Sequence, residues 1–190
     1  MKPHRNSKGR FIVLSSPSGG GKSTIIHRLL EGDRELVYSV SVTTRKPRPT
    51  EKDGISYRFI DQSDFERMRE SGDLLEWEEV YGDFYGTPRR PAEEAVEAGR
   101  DVIFDLDVKG ALKLKEKRPE TLLIFLQPPS LAVLEKRLRS RGTENEERIQ
   151  VRMRRAVWEC EEGEKFDHRV INGDLEETVN AIREIIKKTN

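Results

Sequence analysis

The chain has 190 residues, a length that fits one domain or a domain carrying inserted subdomains. Charged residues make up 37% of the sequence and hydrophobic residues 34%, so we expect a densely charged surface and a modest core. The 35 basic and 35 acidic residues cancel. This balance argues against a general nucleic-acid binder, because such proteins carry a basic excess.

Cysteine content and hydropathy bear on location. The single cysteine, Cys160, excludes an internal disulfide and favours a reducing compartment. The longest uncharged stretch, residues 121–134, is shorter than the roughly 20 residues that a membrane-spanning helix needs. Residues 1–9 are polar and basic and predict a loose tail, and the apolar run 11–14 is too short for a signal peptide. We expect a cytoplasmic protein that does not bind membranes.

Short apolar runs alternate with amphipathic segments along the chain. In the first half of the chain, the pattern predicts a strand at 11–14, a helix from Lys22 to about Gly32, a charged loop over 45–54, a strand at 57–60 and a helix capped by Ser63. Short strands and a turn over 74–85 and a helix over 91–98 follow. In the second half, it predicts strands at 102–107 and 122–126, helices over 131–138 and 146–160, a strand at 169–172 and a closing helix over 175–187. Strands alternating with helices predict a parallel α/β sheet.

A glycine-rich loop joins the first strand to the first helix. Its sequence matches most of the P-loop pattern, although Ser16 stands where the first glycine is expected. Backbone N–H groups of such a loop and the helix N-terminus bind phosphates. Lys22 would reach the β- and γ-phosphates and the Ser23 hydroxyl would ligate Mg²⁺. The residues expected to contact a nucleoside triphosphate are Ser16, Pro17, Ser18, Gly19, Gly20, Gly21, Lys22, Ser23 and Thr24. The alternative is a plain glycine-rich turn with a solvated Lys22.

Further motifs follow in a specific order. They occupy residues 39–49, 53–57, 75–77, 85–88, 105–110, 137–144 and 170–174. Together with the glycine loop they resemble the guanylate kinases, which transfer the γ-phosphoryl group of ATP to GMP. The resemblance runs from about Arg10 to the C-terminus without a large gap. It implies an α/β P-loop kinase with a central parallel sheet flanked by helices, an inserted nucleoside-monophosphate-binding subdomain and a mobile helical lid.

The resemblance also implies a division of residues 10–190. The core would comprise residues 10–38, 92–129 and 160–190, the GMP-binding subdomain about 39–91, and the lid about 130–159. The implied ligands are ATP with Mg²⁺, and GMP as acceptor. The sequence leaves open whether dGMP is accepted and which oligomeric state the protein adopts.

Two acids are implied to read the purine. Glu76 and Asp107 match the base-reading carboxylates of the family, with Ser41 and Thr87 as hydroxyl partners. Guanine offers N1–H and N2–H₂ side by side, a pair of donors that a carboxylate accepts with two oxygens. Adenine lacks that pair, so a site built around it rejects AMP. The alternative for Glu76 is an ordinary acid of the protein surface.

The acceptor phosphate is implied to lie against two arginines and two tyrosines. Arg45 and Arg48 match the phosphate clamps of the family, and a guanidinium can hold phosphate oxygens with two parallel hydrogen bonds. Tyr57 and Tyr85 match hydroxyl donors to the same phosphate. For both tyrosines, plain packing in a strand is the alternative.

Asp105 ends an apolar strand, where P-loop proteins hold an acid near Mg²⁺. Asp105 and Asp107 would share one face of that strand, near the carboxyl end of the sheet. Lys109 departs from the family pattern, which has glutamine there.

The basic segment after residue 135 is implied to form the lid. By resemblance, Arg137, Arg141 and Arg152 are the catalytic arginines that reach the transferring phosphates, together with Lys22. Asn172 matches a position near the adenine end of the ATP site. The remaining arginines of the segment are expected on the solvated face: Arg139, Arg148, Arg154 and Arg155.

Two other functions remain open. One is a non-catalytic guanylate-kinase-like interaction module, although such modules lack a working phosphate loop. The other is a P-loop kinase for a different small phosphate acceptor.

Overall fold

The computed structural model describes residues 8–33, 35–49, 51–80, 82–140 and 145–189. The strands formed by these residues are β1 (Phe11–Ser15), β2 (Leu36–Tyr38), β3 (Val42–Thr43), β4 (Arg58–Phe59), β5 (Leu74–Val80), β6 (Asp83–Pro88), β7 (Asp101–Asp105), β8 (Leu122–Gln127) and β9 (His168–Ile171). The helices are α1 (Lys22–Gly32), α2 (Gln62–Glu70), α3 (Arg89–Glu97), α4 (Val108–Lys117), α5 (Leu131–Ser140), α6 (Glu146–Glu162) and α7 (Leu175–Lys188).

A five-stranded parallel sheet forms the centre of the fold, in the order β2-β7-β1-β8-β9. Successive side chains of β1 point to opposite faces, and both faces are buried. Phe11 and Val13 belong to one core cluster, and Ile12 and Leu14 to the other. This explains why the strand is a continuous apolar run, as is typical of a parallel sheet covered by helices on both faces.

A smaller four-stranded sheet, in the order β4-β3-β6-β5, lies within the range assigned to the GMP-binding subdomain. It has its own small core, in which Val42, Phe65 and Leu74 are buried. The side chain of Asp61 caps α2 by accepting the N–H of Asp64 at 2.7 Å. The predicted cap, Ser63, was wrong: it lies in the first turn and donates its hydroxyl to the Asp61 carboxylate, which accepts both groups.

Most predicted elements are present, but β2, β3 and α4 were not anticipated. Helix α4 buries Val108, Ala111 and Leu114 at helical spacing, and four lysines separate and follow these positions. The predicted boundaries of the subdomain and the lid, at 91 and 159, fall inside α3 and α6. None of the helices formed by the described residues is long and apolar enough to cross a membrane.

Candidate active site

A cleft opens where β1 and β7 end, between the small sheet and α6. Parallel strands present their carboxyl ends at one edge of the sheet, and ligand sites collect there in α/β folds. The predicted residues that line this cleft are Ser16, Ser18, Lys22, Ser41, Arg48, Tyr57, Glu76, Tyr85, Asp105, Asp107 and Arg152. The structure therefore brings together most of the polar side chains predicted for both nucleotides.

The loop between β1 and α1 adopts a conformation that requires glycine. Gly19 and Gly21 have positive φ angles of 88° and 90°, a region that other residues rarely adopt. A Cβ on Gly20 would lie 2.4 Å from the Ser16 hydroxyl oxygen. Gly20 thus makes room for the side chain of Ser16, which explains how the loop accommodates a serine at the first glycine position.

Lys22 and Asp105 face each other across the end of the sheet. The Lys22 Nζ lies 3.6 Å from Asp105 Oδ1 and donates a 3.3 Å hydrogen bond to the Ser16 carbonyl. Burial raises the pKa of Asp105, and the charge of Lys22 opposes that rise. Lys22 is the first residue of α1, so it stands beside the N-terminal N–H groups that phosphates bind.

Ser23 and Thr24 lie in the first turn of α1 with exposed side chains. They border a shallow groove on the outer side of that helix. Among the described residues, no group of three or more His, Cys, Asp or Glu side chains is placed to hold a metal ion. In kinase sites, Mg²⁺ takes several of its ligands from substrate phosphates and water rather than from protein side chains.

Glu76 is buried in β5, with 4% of its surface exposed. The Thr87 hydroxyl donates a 2.5 Å hydrogen bond to Glu76 Oε1, although Thr87 itself does not reach the cleft surface. Burial raises the pKa of Glu76 to about 7, and the nearby charge of Asp107 adds to the rise. The alternative of an ordinary surface acid does not fit this burial.

Asp107 lies beyond the end of β7, so the prediction that it shares a strand face with Asp105 was wrong. It is the N-cap of α4, and its Oδ1 accepts the N–H of Gly110 at 2.8 Å. As the N-cap, Asp107 keeps extended backbone angles, and the helix begins at the next residue, Val108. Both carboxylates nevertheless line the cleft.

Arg45 lies behind the cleft lining and contacts Tyr85 and Glu51. Its Nε donates to the Tyr85 hydroxyl at 3.1 Å, and one Nη donates to both carboxylate oxygens of Glu51 at 2.8 and 3.0 Å. Glu51 also accepts the backbone N–H of Arg48. Sequence reasoning missed Glu51, although an acid in so basic a loop could have indicated an internal partner for an arginine.

The two tyrosines stand together at this end of the cleft. The rings of Tyr57 and Tyr85 make an edge contact with centroids 5.9 Å apart. Burial raises the pKa of Tyr57 to about 12, so its hydroxyl keeps its proton and remains a donor. The guanidinium of Arg45 lies 5.6 Å from the centre of the Tyr57 ring.

The three arginines implied to act from the lid differ in their contacts. Arg152 donates to the Ser18 hydroxyl at 3.2 Å and lines the cleft. Arg137 donates to the Asn172 carbonyl at 3.2 Å, and the amide of buried Asn172 donates to the Gly20 carbonyl, so these two residues support the phosphate loop. Arg141 lies outside the described residues.

The assignment of Arg155 to the solvated face was wrong. Arg155 lines the cleft and forms ion pairs with Asp107 and Glu159, because the half-buried carboxylate of Asp107 and the buried carboxylate of Glu159 converge on it. Sequence reasoning also missed Glu159. Both could have been found from spacing, since Arg155 and Glu159 follow Arg152 by three and seven residues and so share its helical face.

The sequence of this chain is similar to known proteins over nearly its whole length. The family model described as "Guanylate kinase" matches residues 8–189. This chain belongs to the guanylate kinase family. The guanylate kinase of Chelativorans sp. (strain BNC1) is 49% identical over 180 residues, which cover 94% of this chain and 83% of that protein. The guanylate kinase of Agrobacterium fabrum is 46% identical over 194 residues, covering 98% and 88%.

A solved structure agrees with the fold. The crystal structure of guanylate kinase from Anaplasma phagocytophilum superposes with a TM-score of 0.81 at 37% identity, and the match covers 96% of this chain and 86% of that one. The family resemblance inferred from the motifs and the predicted α/β fold are therefore both confirmed.

Proposed function

We propose that the protein transfers the γ-phosphoryl group of ATP to GMP, giving ADP and GDP, with GMP held at Glu76 and the phosphates of ATP held by the loop that ends in Lys22. The activity itself is that of the family to which the chain belongs. One observation supports the placement above others: the buried Glu76 carboxylate and the Lys22 ammonium line the same cleft. One end is suited to a purine with paired donors, and the other to polyphosphate.

Guanine recognition follows from the chemistry of Glu76. The N1–H and N2–H₂ groups of guanine would donate to its two oxygens, while Thr87 keeps its hydrogen bond to Oε1. These donors stabilise the charged carboxylate, so binding of GMP would favour loss of the proton from Glu76, whose pKa is raised to about 7. AMP offers no such pair and would leave a buried acceptor unpaired. Asp107 and Ser41 line the cleft beside Glu76 and complete the base site.

The GMP phosphate would lie against Arg48, Tyr57 and Tyr85, which line the cleft. Arg45 would contribute from behind, by fixing the Tyr85 hydroxyl and by offering N–H groups once the phosphate competes for them. The acceptor phosphate is already an oxygen nucleophile near neutral pH, so the transfer requires no general base. Binding and orientation of the two phosphates are then the main catalytic tasks.

Charge on the transferring phosphoryl group would be stabilised by the phosphate-loop N–H groups, Lys22 and Arg152, with Arg137 and Arg141 joining by family resemblance. Mg²⁺ bound with ATP would neutralise part of the phosphate charge. The residues fitted to hold it are Asp105, whose carboxylate faces the cleft, and Ser23 at the start of α1. Lys22 would hold the Asp105 carboxylate in place. Closure of the α5–α6 lid would exclude water that could hydrolyse ATP.

A coupled assay of ADP release with GMP, dGMP, AMP, CMP and UMP tests the proposal. We expect turnover with GMP and at least about a hundredfold lower kcat/KM with AMP, CMP and UMP. Equal turnover with AMP or UMP would refute the role of Glu76 and support a kinase for another acceptor. Binding of GMP with no turnover at all would support the non-catalytic module, which the presence of Lys22 and the lid arginines disfavours.

The remaining expectations extend this proposal. The balanced charge supports an enzyme without nucleic-acid partners. The lone Cys160 supports a reducing, cytoplasmic location.

A further inference from the structure

One face of α6 carries three charged residues toward the cleft. Arg152, Arg155 and Glu159 lie three and four residues apart and line the cleft together. The same helix contacts the start of α4, where Lys109 Nζ lies 5.6 Å from the centre of the Trp158 ring. Helix α6 therefore contacts the start of α4, where Asp107 lies, as well as Ser18 in the phosphate loop.

The guanidinium of Arg155 joins two carboxylates that come from different elements. Its Nη2 donates to Asp107 Oδ2 at 2.8 Å, and its Nε donates to Glu159 Oε1 at 2.9 Å. Asp107 belongs to the purine side of the cleft, and its other oxygen is held by the Gly110 N–H. The rigid planar fork of arginine fixes the two carboxylates relative to each other, which a lysine could not do.

Glu159 connects Arg155 to the phosphate loop. It is 2% exposed, and its Oε2 accepts the backbone N–H of Ser18 at 3.3 Å. Arg152, two turns before Glu159 in α6, donates to the Ser18 hydroxyl at 3.2 Å. A continuous chain of polar contacts thus runs from Asp107 through Arg155 and Glu159 to Ser18.

We propose that Arg155 is a positioning residue that couples the two nucleotide sites, so that GMP bound at Asp107 strengthens the binding of ATP at the phosphate loop, and the reverse. This inference rests on the proposed function, which places GMP and ATP at the two ends of the chain of contacts. Each carboxylate oxygen has two lone pairs, so Asp107 can accept an N–H of guanine and keep its bond to Arg155.

The coupling would arise because both nucleotides order the same chain of contacts. Guanine bound to Asp107 restricts that carboxylate, and Arg155 passes the restriction through Glu159 to the N–H of Ser18. ATP then binds a loop that is already ordered, so its binding costs less conformational entropy. Coupling of this kind is reciprocal: each nucleotide must change the affinity for the other by the same factor.

The test measures this factor by calorimetry. GMP is titrated into the full-length protein with and without a saturating non-hydrolysable ATP analogue and Mg²⁺, and the analogue is then titrated with and without GMP. We expect both nucleotides to tighten each other's binding by at least about fivefold in the wild type. In Arg155→Gln the factor should fall below about twofold, because glutamine cannot bridge the two carboxylates.

Arg154→Gln is the matched control. It removes the same charge from the neighbouring residue, whose side chain is exposed, and should keep the wild-type factor. A factor near one in the wild type, or an unchanged factor in Arg155→Gln, would overturn the proposal. The same holds if Arg154→Gln lowers the factor equally, because net charge would then be the cause.

Two further outcomes keep the test decisive. If Arg155→Gln does not fold by circular dichroism, Arg155→Lys replaces it; a factor below the wild-type value supports the proposal, and an unchanged one overturns it. Failure of the wild type to bind GMP at all would instead refute the proposed function. The two failures are therefore distinguishable.

Discussion

The Thr87 hydroxyl donates to Glu76 Oε1 at 2.5 Å, and both residues are buried, with 0% and 4% of their surfaces exposed. The hydrogen bond favours the charged carboxylate, while burial opposes it more strongly, and the pKa of Glu76 is raised to about 7. Glu76 would therefore change charge near neutral pH. In the proposed purine site, one carboxylate would set both the selectivity for guanine and the pH dependence of GMP binding.

Glu76→Gln should remove most of the preference for guanine. Glutamine offers one acceptor oxygen and replaces the other with an NH₂ group, which faces the N–H donors of guanine without a partner. We expect kcat/KM for GMP to fall roughly 10²–10³-fold, with little change in the KM for ATP. Steady-state assays with GMP and AMP measure the change; Glu70→Gln, on an exposed residue of α2, is the control. A variant that still discriminates fully against AMP would contradict the assignment.

The KM for GMP should fall as the pH rises from about 6 to 8. Below a pKa of about 7 the free enzyme holds Glu76 protonated, and the proton must leave before both oxygens can accept from guanine. Each pH unit below that value should cost about tenfold in affinity. The GMP phosphate also titrates in this range, so the same series is measured on Glu76→Gln, in which the contribution of the carboxyl is absent.

Thr87→Val provides an independent check on this assignment. It removes a hydrogen bond that lowers the pKa of Glu76 and keeps the shape of the side chain, so the midpoint of the pH profile should move upward. A midpoint that is unchanged in Thr87→Val would show that another group controls the profile.

Lys22→Ala should abolish turnover. Its ammonium lies at the start of α1, 3.6 Å from Asp105, and in the proposed mechanism its loss would remove a charge that stabilises the transferring phosphoryl group. We expect kcat to fall at least roughly 10²-fold in the ADP-release assay. Thermal melting verifies the fold, and Lys188→Ala, on the exposed end of α7, should retain full activity. Near-normal kcat in folded Lys22→Ala would exclude this role.

Glu51→Gln should weaken GMP binding without changing the chemical step. Glu51 accepts hydrogen bonds from the Arg45 guanidinium and the Arg48 N–H, and these contacts order the loop that is proposed to lie beside the GMP phosphate. Loss of a charged hydrogen-bond partner should raise the KM for GMP about tenfold and leave kcat within about twofold. If instead the KM for GMP falls, competition between Glu51 and the phosphate for Arg45 outweighs the ordering of the loop.

The sequence by itself determined the fold class and the phosphate loop. The continuous apolar run of β1 requires burial on both faces, and the glycines that follow it allow the positive φ angles of Gly19 and Gly21. The motif order also identified the family correctly. These features depend on local periodicity and backbone geometry, which residues close together in the sequence determine.

The tertiary structure alone decided which charges meet. Arg155 was expected in solvent and instead joins Asp107 to Glu159, and Asp107 was expected on a strand and instead caps α4. The pairing of Arg45 with Glu51 was likewise absent from the pattern, whereas Thr87 was expected beside Glu76 through the family resemblance alone. An ion pair or a shifted pKa depends on distance and desolvation, and both arise only when segments far apart in the chain pack together.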